Sequence, residues 1–82
     1  MTDQTTLPCG CVVSGGVAVY ECEEACQIRR LVAQSEARYF TALAEGPRRD
    51  VRGRAIAVRV ARQMYREHLM QGYANLVSEE AV

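Results

Sequence analysis

The spacing of apolar residues changes its period as these 82 residues proceed, and each period predicts an element. Residues 1–7 are polar and threonine-rich, without periodicity, and read as a flexible N-terminal tail. Cys11-Val12-Val13 and Val17-Ala18-Val19-Tyr20 are β-branched or aromatic runs. Between them Ser14-Gly15-Gly16 supplies the positive-φ residues of a tight turn, which predicts a β-hairpin. From Glu23 to Glu45 the step lengthens. Ile28, Leu31, Val32, Ser35, Tyr39, Ala42 and Leu43 recur every three or four residues, opposite Gln27, Arg30, Gln34, Arg38, Thr41 and Glu45, as on an amphipathic helix. Phe40 lies about 100° off that stripe, and a core position covering the metal end is expected in preference to an exposed anchor. Gly46-Pro47 ends the helix, and Asp50 is placed to cap a second one over 50–71. Ile56, Ala57, Val60, Ala61, Met64, Tyr65 and His68 form its expected inward side, with Val58 and Leu69 at the margin. Gly72 either ends it or is followed by a resumed helix through Tyr73–Val77, within a C-terminal segment over 72–82. The short connection predicts antiparallel packing.

All four cysteines fall in Pro8–Cys26, as a C-x-C pair, Cys9 and Cys11, and a C-x₃-C pair, Cys22 and Cys26. Folding the hairpin brings the pairs together, and Glu23 and Glu24 mark a helix start at the second pair. Two thiols from a tight knuckle and two from a helix entrance can converge on one point, where Zn²⁺ held by four thiolates is the usual occupant. Other readings of the same residues are a pair of disulfides, reactive or sensing thiols, and cysteines that only fill core. Residues 8–28, and Val19-Tyr20-Glu21-Cys22-Glu23-Glu24-Ala25-Cys26 above all, resemble the treble-clef TRASH, YHS and FCS small zinc fingers, where an aromatic precedes C-x₃-C at a helix entrance. The resemblance implies Cys9, Cys11, Cys22 and Cys26 as ligands of a structural zinc. The expected fold is a small α+β domain, mainly α: a zinc-stapled knuckle and hairpin over 8–26, then an antiparallel two-helix hairpin, with 8–82 forming one domain.

Composition sharpens this picture. Only five aromatics occur, Tyr20, Tyr39, Phe40, Tyr65 and Tyr73, so the core must be thin, and a thin core favours a metal staple or a partner chain. No run approaches the ~20 apolar residues of a membrane span. Met1–Leu7 lacks the basic and apolar regions of an export signal, so a cytoplasmic location is expected. All ten basic residues are arginine, a bias of GC-rich genomes that points to a bacterial or phage source. The zero net charge divides into −3 over residues 1–47, +6 over 48–66 and −3 over 67–82.

That basic block is the second candidate site. Arg48, Arg49, Arg52 and Arg54 surround a helix N-terminus, where cations oppose the helix dipole, and Arg52, Arg59, Arg62 and Arg66 form a ridge along the second helix. Such a block suits an acidic protein or phosphates; it also suits a solvated face paired with Glu36 or Glu45. His68, the single histidine, reads as a core or boundary residue in preference to a ligand replacing one cysteine. No nucleophile–base pair, phosphate loop or paired carboxylates appear, so no enzyme is expected. The leading expectation is a zinc-binding interaction module that docks on a larger protein, as adaptor or inhibitor of transcription or other macromolecular machinery. Its alternatives are a nucleic-acid-binding regulator using the arginine ridge, and a metal or thiol-redox sensor. A homodimer is compatible with all three.

Overall fold

A computed structural model describes residues 3–80, the side chains of Glu79 and Glu80 aside. Residues 1–2 of the expected tail and 81–82 of the expected C-terminal segment lie outside the described residues. The chain forms a three-stranded antiparallel sheet, β1 (Gln4–Thr6), β2 (Val12–Ser14) and β3 (Val17–Tyr20), followed by helices α1 (Glu23–Glu45) and α2 (Arg48–Glu80). Hairpin and helical pair follow from the two periods of the sequence.

Ser14 pairs with Val17, so the β2–β3 loop is the two residues Gly15 and Gly16, at φ +58° and +79°. Two consecutive positive φ values match the twist of the strands they join, and glycine adopts them without a Cβ clash. An irregularity between Val12 and Val13 lets Val12 face Tyr20 while Val13 faces Ala18, so Val19 is an extra residue in β3.

The N-terminal stretch is the first correction. Gln4–Thr6 pair with Val12–Ser14, and Leu7, 2% exposed, is among the most deeply buried side chains. Thr-rich polarity hid a short edge strand whose alternate positions face solvent.

Helix α1 starts at Cys22, whose extended backbone and side chain cap it, and stops at Gly46, whose N–H donates to the Ala42 carbonyl at 2.8 Å. Helix α2 differs from expectation at both ends. The Pro47 carbonyl accepts from Asp50 N–H at 3.0 Å, so proline begins the helix and Asp50 lies within its first turn instead of capping it. At the other end α2 passes through Gly72 without a break. A Cβ there would lie 2.8 Å from Leu7 Cδ1, so Gly72 is a point of close approach and not a terminus. This part of α2 lies against Leu7 and the small core cluster around it, and that contact sustains a helix that propensity alone would end.

The faces of α2 also sit differently. Val58 and Ala61 are buried and Val51, Ala55, Tyr65, His68, Leu69 and Leu76 half-buried, whereas Ile56, Val60 and Met64 are exposed. Between the helices only Ala42, Val58 and Ala61 are fully buried among the described residues. Small side chains here let the helices approach closely, and the rotation brings Tyr65 and His68 toward the sheet. Leu31, Leu43 and Phe40 of α1 are exposed as well, Phe40 by 60%, so it is not core. The best-buried cluster is Leu7, Cys11, Val13 and Ala25, backed by Cys22, Tyr65, Leu69 and Leu76. No described helix is long and apolar enough to cross a membrane.

Candidate metal centre

The knuckle is a turn. Leu7 N–H donates to the Cys11 carbonyl at 2.8 Å and Gly10 N–H to the Leu7 carbonyl at 2.9 Å, with Gly10 at φ +103°. This presents Cys9, exposed, and Cys11, wholly buried, to one point. Cys22 arrives there as the cap of α1, and His68 from the middle of α2. The three sulfurs and a ring nitrogen lie within 4.8 Å of one another.

Coordination geometry tests whether they fit one ion. Metal–sulfur and metal–nitrogen bonds of about 2.3 and 2.0–2.1 Å at tetrahedral angles place a sulfur and a nitrogen ligand about 3.6 Å apart. His68 Nε2 is 3.3 Å from Cys22 Sγ and 3.9 Å from Cys11 Sγ, on either side of that value. All four cysteines are free thiols, so the disulfide reading fails here. The surroundings also suit anionic sulfur: Cys22 N–H points at Cys11 Sγ at 3.3 Å, and Ala25 N–H at Cys22 Sγ at 3.4 Å. His68 Nδ1 lies 3.8 Å from Glu24 Oε2, so a carboxylate faces the ring nitrogen remote from the cluster. That arrangement favours the tautomer with a free Nε2 lone pair, as it does for metal-bound histidines.

Without a cation, the sulfurs cannot all ionise cheaply. Burial pushes Cys11 up to about 12, with the neighbouring thiols adding to the rise and the Cys22 N–H opposing it. At Cys22 burial also pushes upward, but the Ala25 N–H and the hydrogen bonds of Cys11, His68 and Cys9 outweigh it and bring the thiol down to about 7. One sulfur is ready as thiolate and its neighbour is not. A divalent cation would supply the charge that lets all three deprotonate.

Cys26 is a correction. It is not in the cluster; its thiol lies 3.8 Å from the Glu21 carbonyl, as a donor. Residues four apart share a face only within a helix, and Cys22 is extended (φ −67°, ψ 168°), so it shares no helical face with Cys26. His68 takes the place expected for Cys26.

The Glu21 carboxylate supports the site. Glu21, 12% exposed, accepts from Tyr65 Oη at 2.6 Å and pairs with Arg29 Nε at 2.6 Å. It ties the residue before Cys22 to both helices, one turn of α2 from His68.

The arginines separate into two groups. Arg48, Arg49, Arg52 and Arg54 are exposed around the first turns of α2. Arg59, Arg62 and Arg66 line an open groove between the helices, where Arg62 pairs with Glu36 at 3.2 Å. No protein-family model, curated protein or solved structure matches this chain. The Cys9, Cys11, Cys22 and His68 cluster could hold a metal ion and is compatible with a small zinc-binding module, and the resemblance to the TRASH, YHS and FCS fingers rests on the cysteine pattern alone.

Proposed function

We propose that this chain is a non-enzymatic zinc-binding module that docks on a larger protein, its fold held by Cys9, Cys11, Cys22 and His68. The carrying observation is that these ligands come from the knuckle, the head of α1 and the middle of α2, so one ion would join every part of the fold. Three soft sulfurs and one imidazole at tetrahedral spacing favour zinc over hard cations, which select oxygen. Four protein ligands leave no open position for a reacting water, which argues for structure over catalysis. A divalent ion with three thiolates and a neutral imidazole bears one negative charge, and the Cys22 and Ala25 N–H groups at the head of α1 are placed to offset it.

The docking part of the reading rests on what so small a core leaves outside. Phe40, Ile56, Val60, Met64, Met70 and Val77 are all exposed, more large apolar side chains than two packed helices need to present to water. The test is metal analysis of the purified chain with chelator titration followed by circular dichroism, alongside capture of binding proteins by the zinc-loaded chain. One equivalent of zinc, cooperative loss of helix on chelation and metal-dependent capture are expected. A chain that is metal-free yet folded in chelator removes the zinc; one that captures nothing removes the docking.

A further inference from the structure

We infer that the groove between α1 and α2 is the docking surface, and that its occupant is an acidic amphipathic helix of a partner protein. This rests on the docking reading above and deepens it.

The groove measures about 760 Å³ and combines an apolar floor with a basic wall. Phe40, Val58 and Met70 give the floor; Arg59, Arg62 and Arg66 give the wall. Phe40 and Met70 are 60% and 62% exposed, so the fold itself leaves them uncovered. The Phe40 ring is steadied by Tyr39, centroid to centroid 5.6 Å and tilted 56°, and so is a placed anchor rather than a loose one. Along α2 the lining runs from Ala55 to Met70, about 22 Å at 1.5 Å per residue, the length of roughly four helical turns. A third helix laid there would complete a bundle that two helices leave open on this side.

Charge selects the kind of helix. Among the described residues no carboxylate lies within ion-pair distance of Arg59 or Arg66, while Arg62 is held by Glu36. Arg59 and Arg66 are seven residues apart, two turns on one face, so carboxylates two turns apart on a partner helix would meet them while its apolar side covers Phe40 and Met70. Glu36 and Glu67 also line the groove, so an occupant's carboxylates must be spaced to meet Arg59 and Arg66 and to avoid those two. A uniformly charged phosphate chain cannot do this, and the apolar floor would be wasted on such a chain.

The test selects binders of the zinc-loaded full chain from a displayed library of helical peptides, about four to five turns long, whose exposed positions vary among Glu, Lys, Leu, Phe and Ala. Binders should carry Glu two turns apart beside a Leu/Phe stripe. Arg59 and Arg66 are exposed, so R59E/R66E should keep its zinc and its circular dichroism. It should weaken those binders on the order of 100-fold and, on reselection, prefer Lys. Phe40→Ala should weaken them about 10-fold or more. The inference is overturned if binders are neutral or basic, if R59E/R66E binds them equally, if their amide-shift footprint falls on Ile56, Val60 and Met64, or if random-sequence duplex DNA displaces them through the same arginines. A footprint on another face leaves the docking module standing and removes only this groove. Failure of the full chain to bind any peptide or protein removes both.

Discussion

The identity of the fourth ligand can be decided by three substitutions that the structure ranks in advance. His68→Ala removes the nitrogen 3.3 Å from Cys22 Sγ and leaves three sulfurs with nothing from α2. Glu24→Gln keeps that nitrogen but takes the charge from the carboxylate 3.8 Å behind the ring. Cys26→Ser changes a thiol outside the cluster, donated to the Glu21 carbonyl. Loss of a hydrogen-bonded outer partner typically costs about 10–100-fold in metal affinity, and Glu24, beyond hydrogen-bond distance at 3.8 Å and largely exposed, should cost less than about 10-fold as Glu24→Gln. Loss of a ligand must exceed that range, so His68→Ala should weaken zinc more than about 100-fold, or about 2.7 kcal/mol. Cys26→Ser should leave affinity within about threefold, about 0.6 kcal/mol. Competition with a chromogenic chelator measures all three, and Co²⁺ substitution adds a spectrum sensitive to the count of sulfurs. His68→Cys supplies a check against simple unfolding, because it should hold metal with a four-sulfur spectrum. If Cys26→Ser collapses affinity while His68→Ala matches the parent, the ligands are the four cysteines and the arrangement described here is wrong.

Three further outcomes follow from the supports of the site. Burial, and then the Glu21 carboxylate, raises Tyr65 to about 12 from its ordinary 10.0, so one of the four tyrosines should ionise late in an ultraviolet titration. Because the folded form holds that proton more tightly, the contribution is full below pH 10 and disappears as pH rises through about 12; Tyr65→Phe should remove this alkaline component. Glu21→Gln leaves an acceptor for Tyr65 but cancels the ion pair with Arg29, and should cost about 1.5–3 kcal/mol in denaturant unfolding; no change would make Glu21 a bystander. Gly72→Ala gains helix propensity of about 1 kcal/mol but drives a methyl to 2.8 Å from Leu7 Cδ1, for a crowding cost of about 1–3 kcal/mol. It should destabilise the parent and cease to do so in Leu7→Ala, and equal effects in both backgrounds would place Gly72 away from Leu7.

The hairpin and the paired helices were legible because each is a local pattern: two glycines between β-branched runs, then a 3.6-residue period punctuated by Gly46-Pro47. What sequence missed depends on tertiary contact. Gln4–Thr6 become a strand only because β2 has an edge to offer. Gly72 reads as a stop until Leu7 is placed against it. The α2 face was misjudged because hydropathy weights Ile56, Val60 and Met64 heavily, whereas helix packing selected Val58 and Ala61, whose size permits close approach. At the metal centre, Cys9, Cys11 and Cys22 were accessible from spacing and His68 was not. One signal could have found it: counting equal steps back from the Gly46-Pro47 turn puts His68 level with Ala25, within one turn of Cys22. An antiparallel hairpin, once predicted, already carries that register.

The position of His68 in the chain gives the centre a reach that four cysteines within residues 9–26 would lack. A site closed by Cys26 would fix only the knuckle to the head of α1 and leave α2 to its small interface at Ala42, Val58 and Ala61, the Leu7 cluster and the Glu21–Tyr65 bond. On the proposed site, closure by His68 would join positions 57 residues apart along the chain to a shared ion, and the loop so restrained contains all of α1 and the part of α2 up to His68. The Glu21–Tyr65 bond repeats the same join one turn away without metal. An ion holding the helical pair from one end would free its sides from part of the burial otherwise needed to keep it together. On that proposal so thin a core could leave Phe40 and Met70 exposed beside the arginines that flank them.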